Sequence, residues 1–192
     1  ALPRHDNEWK TIYSQISSNS ASLYLGDDQK AMIQTLWDAL DSPSLTHFKP
    51  LLFVGASGTG KDTMIPVIVD TFTESSPTGN ATLCLTEVFN EHKVDDYFKR
   101  LDAFYTASPT HIAVLNFQEP NLTKSSVDAY THFILQLNQR YPKTVVVSTM
   151  NDYQERAAFL PGPLHTNVHI GAITTEDRGG FIESQGAVDA SR

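Results

Sequence analysis

Gly55-Ala56-Ser57-Gly58-Thr59-Gly60-Lys61-Asp62-Thr63 has the residue types and spacing of a phosphate cradle. Glycines let successive backbone N–H groups turn inward toward an anion. A lysine directly after the last glycine supplies a point charge for β- and γ-phosphates. Such a cradle works only between a strand and a helix. Leu51-Leu52-Phe53-Val54 reads as a buried strand, and Met64 to Phe72 reads as an apolar helix whose N-terminus adds its positive dipole end. The expected ligand is a phosphorylated nucleotide.

Strand, glycine-rich turn and helix together make a P-loop, for which ATP or ADP is the expected occupant. The residue after the lysine is usually Ser or Thr, placed on a magnesium ion. Here Asp62 takes that position and Thr63 follows. Asp62 is a candidate magnesium ligand, directly or through the water shell, because the ion prefers hard oxygens. Its charge also lies close to the phosphates and opposes their binding. Pro66 removes a backbone donor from the second helical turn and is expected to bend it.

The chain of 192 residues suits one α/β domain with a proper core. A net charge of −8, with Lys and Arg scattered, argues against charge-driven binding to nucleic acid or anionic membrane. Cys84 is the single cysteine, so no disulfide forms within the chain, and intracellular residence is the natural expectation. No run is long and apolar enough to span a bilayer, so no membrane insertion is expected, and no signal peptide is visible. Starting at Ala1 rather than Met suggests a processed chain or an excised domain. The seven histidines show no metal-ligand spacing.

Hydrophobic periodicity orders the elements that must position the cradle. Ala1 to Ser22 is polar, with Trp9, Ile12 and Ile16 as anchors. Gly26-Asp27-Asp28-Gln29 opens a helix with the stripe Met32, Ile33, Leu36, Trp37 and Leu40. Ser42 to Lys49 is a loop. Beyond the P-loop helix come strands over Ala81–Val88, His111–Phe117, Thr144–Met150 and Asn167–Ile170. Helical stripes lie between them, at Val94, Tyr97, Phe98, Leu101, Phe104 and Tyr105, then at Val127, Tyr130, Ile134, Leu137 and Tyr141. A short helix over Asp152–Leu160 completes the set, and Thr174 to Arg192 reads as loose. Five strands alternating with helices predict a parallel sheet sandwiched between helices.

This order resembles the large αβα subdomain of the AAA+ ATPases over roughly Leu25 to Ala172. That leaves 1–24 as a polar N-terminal extension and 173–192 as a flexible tail. Thr59-Gly60-Lys61 followed by Asp62 looks most like the Clp-type and torsin-type members. Ser148-Thr149-Met150-Asn151 matches the sensor-one position, where the resemblance implies that a polar side chain, Asn151 ahead of Thr149, orients the attacking water. The family's Walker B motif ends in Asp-Glu, whereas this chain reads Leu115-Asn116-Phe117-Gln118-Glu119-Pro120. In one register Gln118 replaces the Asp and Glu119 remains as the candidate base. In a second, nearer to the dynein-like members, Asn116 occupies the acidic position. An arginine finger is not evident: Arg156 is the nearby guanidinium, and a solvated helix residue accounts for it.

The resemblance therefore implies an ATP- or ADP-binding module that acts with other protein subunits as a homo- or hetero-oligomer, with weak or absent hydrolysis. The missing Walker B Asp and the charge of Asp62 predict binding less dependent on magnesium than in an ordinary P-loop enzyme. A nucleoside or deoxynucleoside monophosphate kinase is the alternative, because Gly60-Lys61-Asp62-Thr63 resembles the P-loop of some phage nucleotide kinases. Against it, Ala1 to Pro50 precede the first strand, and few arginines are available to clamp phosphates. A viral superfamily-three helicase core is a second alternative, from Ser148, Thr149 and Asn151, weakened by the acidic charge.

Overall fold

The computed structural model describes residues 5–19, 25–41, 50–55, 60–76, 79–118, 123–151 and 166–170. In chain order the elements are α1 (Asp6–Asn19), α2 (Asp27–Asp41), β1 (Leu51–Gly55), α3 (Lys61–Ser75), β2 (Ala81–Glu87) and α4 (Val94–Ala107). They continue with β3 (Ile112–Gln118), α5 (Lys124–Arg140), β4 (Val145–Met150) and β5 (Thr166–Ile170). The expected helix at Asp152–Leu160, the tail from Thr174, the loop Ser42 to Lys49 and Arg156 lie outside the described residues.

The strands are parallel in the order β2-β3-β4-β1-β5. β1 and β4 are buried along their whole length, which is why both read as unbroken apolar or β-branched runs rather than alternating ones. A parallel sheet of this kind needs cover on both faces, and the two faces are filled differently. Ile112 and Val114 of β3 and Val145 and Val147 of β4 pack with α1, α2 and α3. Their neighbours in the pleat, Ala113, Leu115 and Phe117 with Val146, pack with α4 and α5. On that second face Phe89, Tyr97, Phe98, Phe117, Tyr130 and Phe133 form a ring-on-ring cluster, with Phe98 and Phe133 centroids 5.1 Å apart.

All five apolar stripe residues of α2 are buried. α3 runs unbroken from Lys61 to Ser75 through Pro66, starting three residues before the apolar run that marks it in the sequence. The polar segment near the N-terminus is a helix, and its anchors Ile12 and Ile16 join the same buried cluster as α2 and α3. Polar ties fasten it: Asn19 Nδ2 donates to Thr71 Oγ1 at 2.7 Å, and Ser75 Oγ donates to Gln15 Oε1 at 2.9 Å. Its stripe is thin and interleaved with Ser, Asn and Gln, so periodicity alone gave anchors and not a helix. No helix among the described residues is long and apolar enough to cross a membrane.

Candidate functional site

The site is built where β1 hands the chain to α3. β1 sits between β4 and β5, with Phe53 beside Thr149 and Val54 beside Met150. Whatever follows β1 is therefore delivered onto the C-terminal end of β4, the edge of a parallel sheet where ligands bind. Ala56, Ser57, Gly58 and Thr59 of the expected cradle lie outside the described residues, as does Glu119. Gly55, Gly60, Lys61, Asp62 and Thr63 are described.

Gly60 adopts φ 86°, in the left-handed region, as the residue that caps α3. A Cβ there would meet nothing nearer than the Met64 side chain at 4.0 Å, so the need for glycine is conformational and not a matter of space. Its carbonyl accepts from Met64 N at 3.0 Å and starts the helix. The N-terminus of α3, with its positive dipole end, thus lies at the C-terminal edge of the sheet.

Lys61 and Asp62 then diverge into two contacts with β4. Lys61 is buried, 4% exposed, and its Nζ donates to Asn151 Oδ1 at 2.9 Å. Asp62 is exposed, and its Oδ1 accepts from Thr149 Oγ1 at 2.6 Å, the length of a charge-assisted bond. Thr149 itself is only 1% exposed. Both strand-end residues considered as the sensor are therefore engaged, by different partners. The sequence ranked Asn151 first and did not find the link from Thr149 to Asp62. Strand parity could have found it, because Thr149 shares the α3 face with Val145 and Val147. Thr63 is exposed beside them.

The other hydroxyl of that strand end points the opposite way. Ser148 is hydrogen-bonded to Tyr130 of α5 across 3.1 Å in the core. Burial pushes the Tyr130 hydroxyl up to about 12, against a smaller lowering by the Ser148 bond.

β3 carries both residues considered for the Walker B acid. Asn116 lies opposite Val147 and Gln118 opposite Thr149. Both have the parity of Ile112 and Val114 and so belong to the α3 face. They differ in depth. Asn116 is 1% exposed, with its Oδ1 lacking a hydrogen-bond partner among the described residues, whereas Gln118 is half-buried at the strand end. Gln118 is the one level with the Asp62–Thr149 pair.

The chemistry of these donors fits a polyphosphate. A buried ammonium with three donors, a helix N-terminus and a left-handed glycine converge on one edge of the sheet. For a divalent ion, no group of three or more His, Cys, Asp or Glu side chains that could hold it exists among the described residues. Asp62 is the carboxylate placed beside Lys61, which suits magnesium, an ion commonly held by one or two carboxylates together with phosphates and water.

No protein-family model and no curated protein matches the chain. Similar solved structures do exist. A chain of the E. coli MS115-1 HORMA:CdnC:Trip13 complex matches with a TM-score of 0.65 at 13% identity, covering 88% of this chain and 68% of that one. A chain of Drosophila ORC bound to DNA matches with a TM-score of 0.61 at 14% identity, covering 98% of this chain and 54% of that one. The FIGL-1 AAA domain in complex with ADP matches with a TM-score of 0.52 at 17% identity, covering 95% of this chain and 68% of that one. This chain spans little more than half of the ORC chain, and at such identities the likeness speaks for architecture alone. The chain shares the αβα architecture of these solved structures, one of them an AAA domain.

Proposed function

We propose that this chain is a nucleotide-binding module of the AAA+ type, taking ATP or ADP at residues 55–63 and hydrolysing it slowly or not at all. The observation that carries the reading is the convergence of Lys61, Asp62 and the Gly60-capped start of α3 on the polar end of β4. The ammonium of Lys61, which donates to Asn151, is the cation that meets phosphate oxygens in this reading. Ala56, Ser57, Gly58 and Thr59 complete the cradle in this reading.

Slow hydrolysis follows from what stands at the end of β3. Phosphoryl transfer draws its rate from charge stabilisation and water positioning. Gln118, level with Thr149, is a neutral amide where an acid is expected, and its position supports the register that keeps Glu119 as the base. Asn151 is then the residue that orients water. Work within a larger assembly is extended to this chain from proteins of like fold, two of which are a chain of the HORMA:CdnC:Trip13 complex and a chain of ORC bound to DNA.

The test is a hydrolysis assay on Gln118→Asp and Asn116→Asp. The first raises the ATP turnover rate by about tenfold or more, equivalent to roughly 1.4 kcal/mol in the barrier. The second leaves it unchanged and destabilises the fold by burying a charge. Brisk wild-type turnover, or phosphate transfer to a nucleoside monophosphate, would overturn the reading in favour of a kinase.

A further inference from the structure

We infer that the cavity where α1, α2 and α3 meet, at the end of α3 remote from Lys61, is a second ligand site that takes a small organic cation with an apolar body. The inference goes beyond the nucleotide-binding reading and stands without it.

The cavity holds about 450 Å3, within the range of roughly 300–1,000 Å3 that small-molecule sites occupy. Phe72 and Ser76 line it, whereas Lys61 opens the same helix. At about 1.5 Å per residue, the length of α3 puts roughly 20 Å between the cavity and the nucleotide edge.

The floor of the cavity is apolar and preformed. Trp37 and Phe72 meet edge to face with ring centroids 5.3 Å apart, and Ile12 completes the surface. These side chains are 3%, 2% and 6% exposed, so the core holds them in place. Gly79 backs the wall without lining the cavity. A Cβ on it would come within 2.9 Å of Ser76 Oγ and 3.1 Å of the Phe72 ring, so the close approach requires glycine. Its N–H also donates to Ser76 Oγ at 2.9 Å.

The rim carries charge of one sign. Glu8 and Asp41 line the cavity and are exposed, and no Lys or Arg among the described residues lines it. α2 and α3 both end here, and neither has a basic residue in its last turn. Helix C-termini carry partial negative charge, so backbone and side chains favour a cation together. A carboxylate has about four acceptor positions, so contacts that either acid already makes leave room for an added ammonium. The faces of aromatic rings attract the same charge. An anion is repelled by both acids, and a neutral molecule makes no use of them. The ligand class is therefore an amine or guanidine on an apolar stem, with the stem against Trp37 and Phe72 and the charge at the rim.

The experiment reads the cavity from inside. The sequence has two tryptophans, and Trp9→Phe leaves Trp37 as the single emitter. In that protein Trp37 fluorescence is titrated with three molecules of one shape: phenethylamine, the corresponding neutral alcohol, and phenylacetate. The amine is expected to give a saturable change that weakens with salt. The alcohol binds about tenfold more weakly, the difference that two partly solvated ion pairs supply, and phenylacetate does not bind. Glu8→Gln combined with Asp41→Asn lowers the amine to the affinity of the alcohol and leaves the alcohol unchanged. A disrupted wall would weaken the alcohol as well. Should the double variant fail to fold, the contrast between amine and alcohol on the intact rim decides the matter alone. Equal affinity for amine and alcohol, or no saturable change with any of the three, would overturn the inference. So would binding of a blocked Ala-Arg-Ala peptide about tenfold tighter than the amine, which would assign the cavity to the side chain of a partner protein.

Discussion

Ser148 and Thr149 are adjacent hydroxyls on β4 with opposite assignments. Ser148 faces α5 and pairs with the buried Tyr130, among the aromatic rings of that face. Thr149 faces α3 and pairs with the exposed Asp62, in the first turn of that helix. The pleat separates them by one residue and so divides the molecule into a face that holds the sheet and a face that holds the site. The difference teaches where polar groups can be changed. A hydroxyl whose partner is sealed in the core supports stability, and one whose partner meets solvent is available to chemistry.

The largest expected effect tests the α5 face through pH. Tyr130 has its hydroxyl raised to about 12 by burial, against an unfolded value near 10. The neutral form is the one the fold accepts, so this contribution is complete below pH 10. It is lost as pH rises from 10 towards 12, where the unfolded chain ionises and the folded one does not. Two units correspond to about 3 kcal/mol. Unfolding in denaturant across that window should therefore show a decline that Tyr130→Phe flattens. An unchanged slope in that variant would mean that the hydroxyl is not sealed in the core.

A smaller effect sharpens the comparison between the two hydroxyls. Ser148→Ala removes the Ser148 hydrogen bond to the buried Tyr130 hydroxyl and costs about 1–3 kcal/mol of stability. Thr149→Val leaves only an exposed carboxylate, which water solvates, and costs about 1 kcal/mol or less. Equal losses in thermal or denaturant unfolding would break the division of labour between the faces.

Much of this arrangement was legible in the sequence because it is local. The P-loop context lies within one strand, one turn and one helix, and each stripe of the helices α2, α4 and α5 reads off a period of 3.6. The site contacts are not local. Lys61 and Asn151 are 90 residues apart, and they meet only because β4 pairs beside β1. The same limit explains β3. Asn116 and Gln118 share parity, so no pattern of alternation separates them, and only the pairing of Gln118 with Thr149 shows which one stands at the level of the site. The helix α1 was obscured for a different reason. Its two buried isoleucines hold it by packing against other elements, a tertiary contribution that composition does not record.

The central claim is that Lys61 and the turn before it hold a nucleotide. Thermal and calorimetric titration with ADP, on wild type and Lys61→Ala, tests it most directly. At a hundredfold excess over Kd the wild-type chain should gain about 2.7 kcal/mol, and its melting temperature should rise accordingly. Lys61→Ala should remain folded and show neither heat nor shift. A wild-type chain that gives no shift with ADP or ATP, with or without magnesium, would contradict the account, as would an equal shift in both proteins.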